Sequence, residues 1–264
     1  MKLDGCSALI TGASAGIGCE FARQLASRAR TIVLLARREQ RLNELQDELR
    51  KRNPQLNVRT RVVDLCDRSQ IDELIRWLGQ NRIDIDLLIN NAGLGDYGTV
   101  ATSDIERDDR IIQVNIAALT FLTRQLLPAM FQRKRGAILN VSSSAGFLPI
   151  PGMAVYAASK AFVNSFTEAL RAELRGSGVS VTALCPGPVH TEFSDVAVRP
   201  GGKPKTAPEF IYVSVEQTVR DALNALAADK PLIIPGIAMK MAMFLVRIMP
   251  MPVMRLASRF RAKR

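Results

Sequence analysis

The chain has 264 residues, 47% hydrophobic and 23% charged, with a formal net charge of +11. That balance is ordinary for a soluble globular protein, and the length suits one large α/β domain or two small ones. Its four cysteines, Cys6, Cys19, Cys66 and Cys185, form no C-x-x-C pair, which argues against a disulfide framework or a zinc site and fits a reducing, cytoplasmic compartment.

In chain order, "CSALITG" is a short apolar run ending in glycine, and "IGCEFARQLASRA" has helical spacing. "RTIVLLARR" reads as a second buried strand, and "EQRLNELQDELRKRN" as a charged amphipathic helix. "VRTRVVDL", "IDLLINNAG", "GAILNVSS" and "GVSVTALCPG" supply four more strands, each preceded by a helical stretch. Apolar strands alternating with amphipathic helices predict βαβ units and a parallel sheet covered on both faces. The N-terminal "MKLDGCSALITG" carries Asp4 and too short an apolar run to read as a signal peptide.

The charge is uneven. No acid follows Asp229, while Lys230, Lys240, Arg247, Arg255, Arg259, Arg261, Lys263 and Arg264 give the last 35 residues +8, leaving +3 for the first 229. With no nucleic-acid-binding motif, three tyrosines and one tryptophan, this tail does not make nucleic acid an expected partner.

The turn "ITGASAGIG" spaces Gly12, Gly16 and Gly18 as G-x3-G-x-G between the first strand and first helix. Glycine permits the tight turn and lets backbone approach a pyrophosphate at the helix's positive end. At the end of the second strand, where an NAD site places a carboxylate, the chain has Ala36 followed by Arg37 and Arg38. A missing acid and two phosphate-binding side chains favour NADP(H).

Together with "NNAG" at 90–93, Asn115, "NVSSSAG", "YAASK" and "CPGPVHT", this turn makes residues 5–195 resemble the short-chain dehydrogenase/reductase family. The resemblance implies a single-domain α/β Rossmann-like fold, a doubly wound parallel sheet with helices on both faces, over residues 1–230. It implies a substrate lid at about 188–212, with 231–264 left as a basic, apolar C-terminal extension.

Tyr156 is then the proton donor in carbonyl reduction, or acceptor in alcohol oxidation, and Lys160 lies one turn on, on the same helical face. A free tyrosine titrates near pH ~10, and the lysine's ammonium charge, with the nicotinamide's positive charge in the oxidised state, is expected to lower that value. Among Ser142, Ser143 and Ser144, family spacing selects Ser143 to polarise the substrate oxygen, and Asn115 matches the helix asparagine that anchors a water beside the lysine. Implied cofactor contacts are Gly12, Ser14, Gly16, Ile17, Gly18, Arg37, Arg38, Asp64, Leu65, Asn91, Gly93, Pro186, Gly187 and Thr191, besides Tyr156 and Lys160. His190, the only histidine, reads as a bystander, and no metal is expected.

Phe147, Leu148, Ile150, Met153 and Val155 are expected to wall an apolar substrate pocket, implying a hydrophobic carbonyl or alcohol. The tail, broken by Lys240, Arg247, Pro250 and Pro252, cannot span a bilayer. It either rests on an anionic membrane surface or packs over the pocket or a second subunit, and the family resemblance implies a homo-oligomer, a dimer or tetramer. The expected function is an NADP(H)-dependent oxidoreductase; the alternative is a catalytically vestigial dinucleotide-binding scaffold docked through its basic tail.

Overall fold

Strands and helices alternate in the structure as they do in the sequence. The computed structural model describes residues 3–199, 201–202, 207–249 and 252–253. Strands β1 (Ser7–Thr11), β2 (Thr31–Ala36) and β3 (Asn57–Val62) alternate with helices α1 (Gly16–Leu25), α2 (Glu39–Arg52) and α3 (Arg68–Gln80). β4 (Leu87–Asn90) leads to α4 (Ile105–Ile112), which runs through a π-turn at Gln113–Ala118 into α5 (Leu119–Gln132). β5 (Gly136–Val141), α6 (Ala154–Glu173) and β6 (Val179–Leu184) follow, then α7 (Phe193–Ala197), α8 (Val215–Ala227), β7 (Leu232–Ile233) and α9 (Ile237–Ile248).

All seven strands are parallel, in the order β3-β2-β1-β4-β5-β6-β7. The Rossmann-like doubly wound sheet expected from the sequence is therefore present. Its seventh strand escaped the sequence reading: two residues are too few for a periodic signal, and only pairing with Ala183 and Leu184 identifies them. They lie inside the region expected to be an extension beyond residue 230.

Side-chain alternation divides the core. Ala8, Ile10, Ile32 and Leu34 face one side, where Phe21, Leu25, Leu42, Leu223 and Leu226 of α1, α2 and α8 cover them. Leu9, Val33, Leu35 and Ile138 face the other, under Ile71, Leu74, Phe121, Leu122 and Leu170 of α3, α5 and α6. Burial on both faces explains why these strands read as unbroken apolar runs.

A polar ladder crosses this second side. Asn90 Nδ2 donates to Thr123 Oγ1 (3.1 Å) and Asn140 Oδ1 (2.9 Å), and Asn140 Nδ2 donates to Thr167 Oγ1 (3.0 Å). It ties β4 and β5 to α5 and α6 just below the functional groups. The helical run Ile105–Gln132 is long and apolar enough to cross a membrane by length and composition. Its buried Leu119, Phe121, Leu122 and Met130, with Thr123 bonded into the ladder, identify it as a core helix.

Candidate active site

The strand order reverses direction between β1 and β4, and a crevice at the carboxyl ends of the strands follows from that switch. A cleft of about 500 Å³ lies there. Among the residues the sequence nominated, Ser14, Arg37, Arg38, Asp64, Leu65, Ser143, Tyr156, Lys160, Pro186 and Thr191 all line it, with Gly12, Gly16, Ile17, Asn91, Gly93 and Gly187. Gly18 and Asn115 do not reach the cleft wall and act behind it.

Gly12 has φ +66°, and a Cβ there would lie 2.9 Å from Ala92 Cα; at Gly18 a Cβ would meet the Gly12 carbonyl oxygen at 2.3 Å. The turn thus closes on itself and on the end of β4. Asn91 fastens it, donating from Nδ2 to the carbonyls of Thr11 (2.8 Å) and Gly12 (3.3 Å). Gly18→Ala is expected to cost about 1–3 kcal/mol by overpacking and to abolish dinucleotide binding, checked by urea unfolding and NADPH fluorescence.

Of the two arginines after β2, Arg38 is held at the mouth of this turn. Arg38 donates to Ser14 Oγ through Nε (3.2 Å) and Nη2 (3.1 Å), and through Nη1 to Glu192 (2.8 Å). Arg41, one turn along α2, also pairs with Glu192, and the two guanidiniums hold that carboxyl below its usual range. Neither Arg41 nor Glu192 was singled out from sequence, because Glu192 lies some 150 residues from its partners. Asp64 Oδ1 accepts from the backbone N–H of Cys66 (3.0 Å), and its other oxygen faces Arg110 at 3.8 Å.

The catalytic candidates come from three elements. β5 ends at Val141, so strand alternation does not extend through the three serines. Instead a 3₁₀ turn, Ser144–Phe147, begins there with Ser143 as its cap, Oγ accepting from Ala145 N–H at 3.1 Å. Ser142 turns into the fold and donates to the Lys160 carbonyl (3.0 Å). Ser143 and Tyr156 line the cleft together, the serine hydroxyl near enough to bear on the phenol. Lys160, buried on α6, donates from Nζ to the Val141 carbonyl at 2.9 Å and lies 5.8 Å from the Tyr156 ring centre.

In the protein without its cofactor, burial dominates the electrostatics. Burial pushes the Tyr156 phenol up to about 12, the Ser143 hydroxyl opposing it only in part. Burial also pushes Lys160 down to about 8. The lysine does not lower the tyrosine in the protein alone, because desolvation drives both toward neutrality and Lys160 is engaged with a backbone carbonyl.

Asn115 sits in the π-turn, a helical irregularity often found at functional sites. Its Oδ1 accepts from Leu94 N–H and its Nδ2 donates to Leu94 O and Ser159 Oγ, each at 2.9 Å. Gly93 lies between it and the lysine: a Cβ there would be 3.3 Å from Lys160 Nζ and 3.5 Å from Asn115 Oδ1.

On the substrate side only Met153 of the five expected wall residues lines the cleft. The 3₁₀ turn sends Phe147 and Leu148 away, against Met239 and Ile234 of the C-terminal region. The wall is built instead from Leu94, Tyr97, Val189, Phe193, Val196 and Tyr212, which two loops remote in sequence bring together. Phe193 packs on Tyr156 with ring centres 5.4 Å apart. The described part of the expected lid is tied down: Val198 bridges Tyr97, and Asp96 binds both Arg199 and Arg107. Residues 200 and 203–206 of that loop lie outside the described residues. His190 points outward, stacked on Tyr212 and bonded to Glu209 (2.9 Å).

A doubly wound parallel sheet, a glycine turn at its first strand–helix junction and a Ser-Tyr-Lys group in the cleft define a dinucleotide-dependent oxidoreductase. The short chain dehydrogenase family pattern matches residues 7–199, and the chain belongs to the short-chain dehydrogenase/reductase family. It is 40% identical over 193 residues to the NADP-dependent 3-hydroxy acid dehydrogenase YdfG of Salmonella typhi, covering 72% of this chain and 76% of that protein. It is 40% identical over 207 residues to sulfoacetaldehyde reductase 2 of Chromohalobacter salexigens, covering 77% and 79%. A short-chain dehydrogenase from Sphingobium yanoikuyae, solved in complex with NADPH, superposes with a TM-score of 0.80 at 34% identity, over 88% of each chain.

Proposed function

We propose that the protein is an NADP(H)-dependent reductase of apolar carbonyl compounds. The observation that carries this reading is the convergence of Ser143, Tyr156 and Lys160 in one cleft, with the phenol held protonated.

The cleft suits a phosphorylated dinucleotide. Its glycine turn leaves room where side chains would collide, and Arg38 is already oriented by Ser14 toward an anion at the turn's mouth. When bound, the nicotinamide supplies the hydride. Arg37, Arg38 and Arg41 are the candidates to hold the 2′-phosphate, and Pro186, Gly187 and Thr191 to flank the nicotinamide. Asn115 holds Leu94 by two bonds and so fixes the loop across the cleft.

Ser143 donates a hydrogen bond to the carbonyl oxygen, and Tyr156 delivers its hydroxyl proton to that oxygen as hydride arrives at carbon. At neutral pH the buried phenol carries the proton that carbonyl reduction consumes. The transient phenolate is stabilised by the Lys160 ammonium.

Both named relatives above take substrates bearing an acidic group. Among the described residues the substrate end of this cleft offers no arginine and no lysine besides Lys160; its charged lining residues, Arg37, Arg38, Asp64 and Glu192, stand at the cofactor end. Tyr97, Val189, Phe193, Val196 and Tyr212 therefore favour an uncharged, hydrophobic ketone or aldehyde. Assay with NADPH across matched pairs of neutral and anionic carbonyls tests this, with the neutral member expected to have the higher kcat/KM. A consistent preference for the anionic member would overturn the substrate assignment.

The lysine sets the pH dependence. Lys160 is charged below its value of about 8 and neutral above it. With NADPH saturating, kcat/KM for reduction is expected to be level at lower pH and to fall about tenfold per pH unit above that value. A profile level from about pH 7 to about pH 10 would contradict the role given to the ammonium.

A further inference from the structure

We infer that the outer face of α9 seats the protein on an anionic lipid surface. Of the twelve residues in this helix only Lys240 and Arg247 are polar. Its inner face, Met239, Met243 and Val246, packs on the body in a cluster with Phe147, Leu148 and Ile234. Its outer face is equally apolar and uncovered: Ile237 is 84% exposed, Met241 58%, Phe244 59%, Leu245 54% and Ile248 63%.

Spacing of i, i+4, i+7, i+8 and i+11 gathers those five side chains into one stripe. Lys240 and Arg247, seven apart and both exposed, fall together along one flank of that stripe. A helix with a wet apolar stripe and bases along its edge matches the interface of an anionic bilayer: the stripe enters the acyl boundary and Lys240 reaches the headgroups, while Arg247, its guanidinium 5.7 Å from the Phe147 ring centre, adds positive charge at the edge. Exposed Met249 and Val253 extend the apolar surface beyond the helix.

Charge separates lipid from a second copy of the chain as occupant. The sequence after Asp229 carries eight bases and no acid. A twofold interface across this face would bring the Lys240 and Arg247 of both copies into one contact with no carboxylate on the segment to offset them. An anionic headgroup layer answers the same charge with attraction, at close range and in a salt-dependent way. On its inner side Met239 presses on Gly187, a cleft residue assigned to the nicotinamide, so the helix lies directly behind that part of the cleft.

The test is co-sedimentation of the full chain with vesicles of phosphatidylcholine alone and of phosphatidylcholine mixed with phosphatidylglycerol. Binding to the anionic vesicles, weakened by salt, is expected. The double substitution Phe244→Glu with Leu245→Glu is expected to reduce it at least about tenfold, leaving NADPH binding and the unfolding temperature unchanged. Both side chains are exposed, so folding does not depend on them. The inference is overturned if the chain binds neither vesicle, or if the substituted chain binds anionic vesicles as well as the parent. It is equally overturned if sedimentation velocity shows a self-association that the double substitution abolishes while vesicle binding is absent, which would make the face a subunit interface. NADPH binding reports the cofactor site separately, so the two readings fail independently.

Discussion

Tyr156→Phe is expected to lower kcat for carbonyl reduction by about 10²- to 10⁴-fold, the range for losing a positioned acid. KM for NADPH should change little. The ring is buried, packs on Phe193 and keeps that packing in the variant. Ser143 Oγ keeps the Ala145 N–H as its donor in the variant. The unfolding temperature should stay within a few degrees of the parent. Stopped-flow or steady-state loss of NADPH absorbance measures the effect. Activity that survives the change would remove the acid role from Tyr156, and NADPH binding without any turnover by the parent would favour a vestigial, scaffolding role.

Arg38→Ala is expected to weaken NADPH binding by about 10- to 100-fold, the worth of a charge-assisted contact to phosphate, with NADH binding little changed. The structure adds a control of opposite sign. Glu192 already occupies Arg38 and Arg41, and its carboxylate competes with any phosphate for the same donors. Glu192→Gln should therefore tighten NADPH several-fold and leave NADH where it was. Nicotinamide fluorescence titrations of the three proteins decide the matter. Equal losses of NADPH and NADH in Arg38→Ala would mean that the arginine shapes the glycine turn through Ser14 and does not read the phosphate.

What was legible in the chain follows from what is local. Strands β1, β2, β4, β5 and β6 are buried on both faces and announce themselves as apolar runs. The glycine turn, the Tyr-x-x-x-Lys pair and the arginines after β2 are all short-range patterns, and the cleft gathers them. Ser143 could be chosen only by resemblance, because a serine triplet has no spacing of its own. The apolar wall was misjudged for the opposite reason: Phe147 and Leu148 lie close to Tyr156 in sequence, but one 3₁₀ turn sends them toward Met239.

The sequence by itself determined the alternating α/β layers and the cofactor turn, which rest on period or spacing within one strand–helix unit; the roles proposed for Tyr156 and Lys160 rest on resemblance. Only the tertiary structure decided the rest. Pairing with β6 made a strand of Leu232–Ile233. Folding brought Glu192 to Arg38 and Phe193 to Tyr156. In the protein without its cofactor burial set the direction for the tyrosine, because desolvation depends on what surrounds a group from every side. The tail's uniform apolar character was divided in the same way: packing covered Met239 and Met243 and left Phe244 and Leu245 in water, a distinction no residue in α9 carries by its type.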